Sequence, residues 1–291
     1  MAVYALVTLY YPKDAHIDNL RALLPQVDKV IVCDNSPNDN SRIVPSECSY
    51  TSIYKNLGLS AAFNRVLKDE KYGWNPDDII IFFDQDSRIA ENHVRTLVES
   101  YNECVKNNCK VGCIGPVFYN IFNNKLEIPR DKKKIATNIY EVKSIITSSM
   151  MCRYKDLQDV GFWNEEIFLD MADWDLCWRF MQHGFKCCMT SNVSLLHTVG
   201  TGVKKLGFFR MRVAAPIREY YEIRECLYMM KKKYTPFKYK LLFIAMLTLR
   251  NLIHVTCYDE KKKRLHYIVR GIKDFLNNIH GEFKDAGSVR T

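Results

Sequence analysis

Asp84-Gln85-Asp86 sets two carboxylates one residue apart, directly after the apolar run Ile79-Ile80-Ile81-Phe82-Phe83. Burying two like charges side by side costs several kcal/mol unless something cationic or strongly hydrogen-bonding meets them. A divalent cation carrying a diphosphate would do so through hard oxygen ligands. The plainer alternative is that Asp84 caps the next turn and Asp86 opens a helix near Glu91 to Ser100. A second acidic set follows in Asp170, Asp173 and Asp175, flanked by Trp163, Phe168 and Trp174. Helix capping accounts for one of these three, whereas the whole set suits a general base beside an aromatic platform for a sugar. His197, between the apolar Val193-Ser194-Leu195-Leu196 and the glycines at 200 and 202, is either a structural histidine or a further metal ligand next to Asp86.

These groups need a scaffold that brings strand ends together. Five consecutive apolar residues, three of them β-branched, read as a strand buried on both faces of a parallel sheet, and ligands of open α/β sheets sit at the carboxyl ends of such strands. Val3 to Leu9 reads as another buried strand. Ile17, Leu20, Leu23 and Leu24 recur at helical spacing up to Pro25, and Val27 to Cys33 then rises into a second strand ending in Asp34-Asn35-Ser36-Pro37-Asn38. That is a first βαβ unit. Tyr50 to Tyr54 is a weaker third strand, and Asn56-Leu57-Gly58 turns from it into a helix of small residues. Such a helix start either admits a diphosphate to its free N–H groups or simply packs tightly. Val111 to Val117 and Ile145 to Met151 read as further strands, the second carrying the hydroxyls of Thr147, Ser148 and Ser149. From Asp173 apolar residues recur at helical spacing as far as Gly184, which leaves Asp170 before the helix and Asp173 at its dipole-favoured start.

The totals exclude several classes. The chain has 291 residues, 47% apolar and 26% charged, the composition of a globular protein with one large core or a main domain with an appended part. Eleven cysteines form an odd count without a Cys-x-x-Cys pair, which points to reduced, mostly buried thiols in a cytoplasmic protein. No basic residue precedes Lys13, so the apolar amino terminus reads as a strand and not as a secretory leader. Leu241 to Leu249 is an apolar run of nine residues broken only by Thr248, about half of the ~20 that a spanning helix requires. Residues 203–291 carry 20 Lys and Arg against 8 Asp and Glu, a net of +12, while residues 1–202 carry a net of −3. The division expected is therefore a catalytic part, 1–210, and a basic amphipathic helical part, 211–291. Lys231-Lys232-Lys233 and Lys261-Lys262-Lys263-Arg264 flank apolar helical patterns and bring no aromatic-and-glycine recognition motif, so an anionic membrane surface fits better than nucleic acid. Packing of both helices on the enzyme domain or on a second subunit of a homo-oligomer is the alternative.

Six stretches, taken in order, resemble the family 2 glycosyltransferases of GT-A fold, most closely the bacterial rhamnosyltransferase branch. They are Val32-Cys33-Asp34-Asn35-Ser36, Asn56-x-Gly58 with Ala62 and Asn64, Asp84-Gln85-Asp86, Gly161-Phe162-Trp163-Asn164-Glu165, Asp173-Trp174-Asp175-Leu176-Cys177-x-Arg179, and His197-x-x-Gly200. The resemblance implies a Rossmann-like mixed sheet flanked by helices, and a nucleotide-sugar donor. It implies that Asp34 bonds a pyrimidine with Thr8 beside it, and that Asn56 and Gly58 lie next to the nucleotide. Asp84 and Asp86 would form the metal motif for Mg²⁺ or Mn²⁺, Gln85 lying between them, with Asp86 the direct ligand and His197 a further one. Asp173 would be the catalytic base. Ala172 stands where the family often has Glu, so Asp170 is the alternative base. Arg218-x-Tyr220-Tyr221-x-x-Arg224 resembles a helix of the same branch, with Glu225 in place of Asn. Arg218 and Arg224 would reach a diphosphate or a lipid-linked acceptor, unless they belong to a solvated basic helix. The implied reaction is an inverting transfer, best matched to L-rhamnose from dTDP-L-rhamnose, to a glycan or polyprenyl-diphosphate-linked acceptor in surface polysaccharide synthesis at the inner face of the cytoplasmic membrane. A UDP-sugar donor, galactofuranosyl or glucosyl, is the alternative.

Overall fold

The run Ile79 to Phe83 lies inside the sheet because both of its faces are covered. Ile80 and Phe82 meet one apolar layer, with Phe63, Val66, Leu176 and Phe180. Ile79, Ile81 and Phe83 meet the other, with Ile17, Leu20, Val94 and Leu97. All five strand residues are buried, each worth roughly 1.5–3 kcal/mol of apolar transfer. The computed structural model describes residues 1–120, 125–197, 202–206 and 209–285.

The strands are β1 (Val3–Leu9), β2 (Lys29–Asp34), β3 (Ser49–Ser52), β4 (Ile79–Asp84), β5 (Val111–Asn120), β6 (Lys125–Glu127), β7 (Lys133–Ala136), β8 (Ile139–Val142), β9 (Met150–Arg153) and β10 (Lys186–His197). They form one ten-stranded mixed sheet in the order β3-β2-β1-β4-β9-β5-β10-β8-β7, with β6 on β5. β1, β2, β3 and β4 are parallel neighbours, and β9 enters antiparallel beside β4. Helices α1 (Asp14–Leu23) and α3 (His93–Lys106) cover one face. Helices α2 (Leu59–Leu67), α4 (Tyr154–Asp159), α5 (Ala172–Gln182) and α6 (Arg218–Lys231) cover the other. A helix from Phe237 to Cys257 and a last one, Lys261–Leu276, follow.

Two expectations change, and a charged stretch between strands turns out to be paired in the sheet. The strand foreseen from Ile145 begins only at Met150, because Thr147 to Ser149 make a turn in which Ser149 has φ +65° and Met150 N–H bonds the Thr147 carbonyl. Its hydroxyls are used there: Ser148 donates to Asp84, and Ser149 pairs with the buried His93 at 2.6 Å. The charged loop Arg130 to Lys134 runs partly as β7, the edge of the sheet, where lysines discourage pairing with other chains. The apolar stretch Leu241–Leu249 is part of one helix of 21 residues, Phe237–Cys257, long and apolar enough by length and composition to cross a membrane. Three of its polar residues, Arg250, Asn251 and His254, are held against the protein while Lys238, Thr248 and Thr256 are exposed. Asn251 and His254 are buried, and Arg250 is ion-paired with Glu222.

The carboxy-terminal helices continue the main core, since Cys226, Met229 and Phe243 belong to the same buried cluster as Phe82 and Trp163. The last helix crosses α6 so closely that a Cβ at Gly271 would lie 2.8 Å from the Tyr220 carbonyl oxygen. All eleven cysteines are free thiols, ten of them buried, as their spacing implies.

Candidate active site

The register of the parallel strands sets Leu9 beside Asp34 and Thr8 beside Asp84. Their common carboxyl edge opens on a cavity of about 550 Å³. Thr8 and Tyr10 enter it from β1, Asp84 and Asp86 from the end of β4, Asn56 and Gly58 from the turn before α2, and Arg218 and Tyr221 from α6. Six of the eight groups assigned to the donor or metal in the strand-end motifs therefore share one space: Thr8, Asn56, Gly58, Asp84, Gln85 and Asp86. Asp34 and His197, described below, are the other two.

Gln85 also acts as a clamp. Its side-chain oxygen accepts the Tyr10 N–H at 2.9 Å and its amide donates to the Tyr10 carbonyl at 3.1 Å. Asn19 bonds its backbone oxygen at 2.8 Å. The end of β4 is thereby fixed to β1 and α1, which orients Asp84 and Asp86. Asp84 accepts from Ser148, and Asp86 is exposed. Among the described lining residues, the carboxylates of Asp84, Asp86 and Glu282 face one guanidinium, Arg218, which is itself paired with Asp170. His16, whose pKa is lowered chiefly by desolvation, adds little positive charge near pH 7. A hard-oxygen donor set with excess negative charge fits Mg²⁺ or Mn²⁺.

Gly58 is required by geometry. Its φ is +79°, and a Cβ there would lie 2.4 Å from the Phe168 carbonyl oxygen and 2.5 Å from the Phe168 ring. Leu59 N–H donates to that carbonyl at 2.8 Å, and the Asn35 amide donates to the Gly58 carbonyl at 3.0 Å. Asn56 accepts the Gly58 N–H at 3.0 Å, which turns its NH₂ group toward the cavity. The turn before α2 is thus joined to the segment carrying Phe168, Leu169 and Asp170. Glu225 holds that segment from the other side: its carboxylate accepts the N–H groups of Phe168 at 3.0 Å, Leu169 at 3.2 Å and Asp170 at 2.6 Å. A longer carboxylate where the resembling family has Asn is used to shape this loop.

The three acids separate by environment. Asp175 is fully buried and structural, bound by Arg179 at 2.7 Å, Asn164 at 3.0 Å and the Tyr234 hydroxyl. Asp170 is paired with Arg218, and desolvation raises its pKa to about 7 even with Arg218 opposing the rise and Glu225 adding to it. Asp173 sits in the first turn of α5 and takes a hydrogen bond from the Trp174 N–H at 2.8 Å. Desolvation raises its pKa well above the carboxylate range, and Cys177, Asp84 and Asp170 add to the rise. Ala172, where a Glu was expected, is buried in the core cluster at the start of α5.

Four of the assigned residues are not among those lining the cavity: the candidate bases Asp170 and Asp173, just described, and Asp34 and Arg224. Asp34 is buried, its carboxylate accepting from Ser36 N–H at 2.8 Å, Asn40 at 2.8 Å and the Tyr50 hydroxyl at 2.7 Å. It shapes the loop after β2. Arg224 is also buried, against the Tyr220 hydroxyl at 2.8 Å and Glu225 at 3.5 Å, so it is not on a solvated face. β10 runs to His197, but that side chain and residues 198–201 lie outside the described part. Sequence reasoning missed Tyr10, Asn35, His16 and Glu282, whereas Tyr221 belongs to the Arg-x-Tyr-Tyr-x-x-Arg stretch it singled out. Asn35 carried a signal, as it follows Asp34 in a strand-end turn, whereas Glu282 carried none.

No protein-family model matches the chain. It is 26% identical over 298 aligned residues to the dTDP-rhamnosyl transferase RfbF of Shigella flexneri, covering 96% of both proteins. Its fold is similar to that of GalNAc-T7 crystallised with UDP, GalNAc and Mn²⁺, with a TM-score of 0.59 at 11% identity; the match covers 95% of this chain and 56% of that one. It is also similar to S. aureus TarS, with a TM-score of 0.50 at 13% identity, over 96% of this chain and 81% of that one.

Proposed function

We propose that this glycosyltransferase of GT-A fold transfers L-rhamnose from dTDP-L-rhamnose, with inversion, to a hydroxyl of a glycan or a polyprenyl-diphosphate-linked acceptor. The observation that carries the reading is the cavity at the ends of β1 and β4, where Asp84, Asp86, Asn56 and Arg218 converge. The likeness to a dTDP-rhamnosyl transferase along nearly the whole chain supports the choice of donor.

Asp84 and Asp86 would hold Mg²⁺ or Mn²⁺, which when bound offsets the charge of the diphosphate leaving group. The chain's own groups do the rest. Thr8, Asn56 and Gly58 line the nucleotide side, and the segment held by Glu225 forms the opposing wall. Arg218, oriented by Asp170, reaches the diphosphate. Asp173 takes the proton from the acceptor hydroxyl as that oxygen bonds the anomeric carbon and the bond from that carbon to the diphosphate oxygen breaks. Burial makes this carboxylate a stronger base than an exposed one, which supports the role. Asp170 is the less suitable base because its carboxylate is committed to Arg218. Asp173→Asn keeps shape and removes basicity, so transfer should fall by ~10² or more while donor binding persists. If Asp170→Asn gives that pattern and Asp173→Asn does not, the base is misassigned.

The carboxy-terminal helices support docking on anionic lipid from the cytoplasmic side. Tyr267 packs with the α6 tyrosines and Gly271 on the α6 backbone, so one face of the last helix is packed on the protein. A second stripe, Leu265, Val269, Ile272 and Leu276, stays exposed, as do Leu241, Leu242, Ile244, Leu249 and Leu252 on the preceding helix. Lys261 and Lys262 stand exposed between the two helices. The ties of Asn251, His254 and Arg250 to the protein oppose crossing and favour lying in the interface. Changing Lys231, Lys233, Lys261 and Lys262 to Gln should release the protein from anionic vesicles, each basic residue at the surface being worth about 1 kcal/mol. A wild-type protein that ignores such vesicles at low salt and runs as a dimer would make these stripes a subunit interface.

A further inference from the structure

We infer that Glu282, delivered by the chain's carboxy-terminal strap, is a substrate-binding residue that recognises sugar hydroxyls in the cavity. This rests on the proposed sugar transfer and assigns to it a group that no motif named.

After the last helix, residues 279–285 fold back over α6 and are fixed on both sides of Glu282. On one side the His280 ring stacks on Tyr228, with centroids 4.4 Å apart, and its Nδ1 bonds the Glu166 carbonyl at 3.1 Å. The Tyr228 hydroxyl donates to the Ile279 carbonyl at 3.2 Å. On the other side Phe283 donates its N–H to the Tyr221 hydroxyl at 3.0 Å and sets its ring edge-on to Tyr220 and Tyr267. Gly281, with φ +81°, makes the turn between the two anchors. Between them the Glu282 side chain enters the cavity and accepts the Asn56 NH₂ at 3.2 Å, across 226 residues of sequence.

The anchors fix the backbone of a residue whose side chain is exposed and packs nothing. A carboxylate held in this way offers several acceptor lone pairs and no donor, which matches the donor-rich edge of a sugar. Hydrogen bonds to a charged acceptor are the stronger kind. Asn56 keeps the carboxylate facing inward at the side of the cavity assigned to the nucleotide. Donor sugar and acceptor sugar share this chemistry, so the experiment must separate them.

The test is calorimetric binding of dTDP and of dTDP-L-rhamnose with Mn²⁺, together with KM values for donor and for methyl glycoside acceptors, on the full chain and on Glu282→Gln and Glu282→Ala. The expected result is unchanged dTDP binding in both variants, with a loss on the order of tenfold to a hundredfold confined to the sugar. A weaker affinity for dTDP-L-rhamnose places the contact on the donor, and a higher KM for the glycoside alone places it on the acceptor. Either supports the inference. Unchanged constants throughout overturn it. Tighter dTDP binding by Glu282→Ala also overturns it, because Glu282 would then be a plug, and so does a changed Mn²⁺ affinity as the sole effect. Wild-type protein that uses a different sugar nucleotide corrects the donor assignment and leaves the same comparison to be made with that donor.

Discussion

Gly58→Ala should uncouple the two walls of the cavity. The backbone at φ +79° and ψ 179° is in a region that is essentially restricted to glycine, and a side chain there costs on the order of 1–3 kcal/mol. The added methyl also meets the Phe168 carbonyl at 2.4 Å and its ring at 2.5 Å, and overpacking of this kind costs about 1–3 kcal/mol more. If α2 and the wall hold their places, the sum is roughly 2–6 kcal/mol, a fall in Tm of about 3–10 °C for a chain of this size. If the 168–170 segment gives way instead, the bond from Leu59 N–H breaks and the Glu225 contacts to Phe168, Leu169 and Asp170 are disturbed. Tm then falls less, and transfer falls with the loss of the Asp170–Arg218 geometry. Thermal unfolding and donor turnover measured on one preparation distinguish the two. A variant within about 1 °C and about twofold of wild type in both would refute the tight-approach argument.

Glu225→Ala removes the acceptor for three N–H groups inside the protein and should cost about 2–4 kcal/mol in denaturant unfolding, with Glu225→Asn losing less; equal stability of all three proteins would contradict the loop-shaping role. Asp170 has a pKa of about 7, above its ordinary value of 3.8, so the folded state holds its proton where the unfolded state has lost it. Stability should therefore decline from this group as pH rises from about 4 to about 7 and then level off, and Asp170→Asn should flatten that slope; a steeper slope in the variant would reverse the sign. Arg218→Ala removes the group that opposes the rise, so the stability decline assigned to Asp170 should extend to higher pH, and an unmoved decline would separate Arg218 from that carboxyl.

Much of this arrangement was legible in the residues. The strand Ile79 to Phe83 announced itself because burial on both faces leaves no polar alternation, and the metal-type motif followed at its carboxyl end as the sheet rules require. Asp173 at the start of its helix followed from apolar spacing alone. Other features depend on contacts distant in sequence. Asp34 reads as an available strand-end carboxylate until Asn40 and Tyr50 are seen to occupy it. Ser148 and Ser149 read as strand residues, since the turn they make depends on Asp84 and His93. Arg224 reads as a group for a diphosphate or as surface charge, and its burial against Tyr220 and Glu225 depends on contacts that the local sequence does not show. Glu282 could not be found, because nothing local marks a carboxylate whose partner is Asn56.

The central claim is that the cavity at the ends of β1 and β4 binds a sugar nucleotide through Asp84 and Asp86. The direct measurement is release of dTDP from dTDP-L-rhamnose by wild-type protein and by Asp86→Ala, with Mn²⁺ and with excess EDTA. Asp86 is exposed at a strand end and supports little packing, so the variant should fold as wild type does. Release is predicted for wild type with Mn²⁺, and its loss is predicted both in EDTA and in folded Asp86→Ala. Undiminished release by the variant, or by wild type in EDTA, would contradict the account.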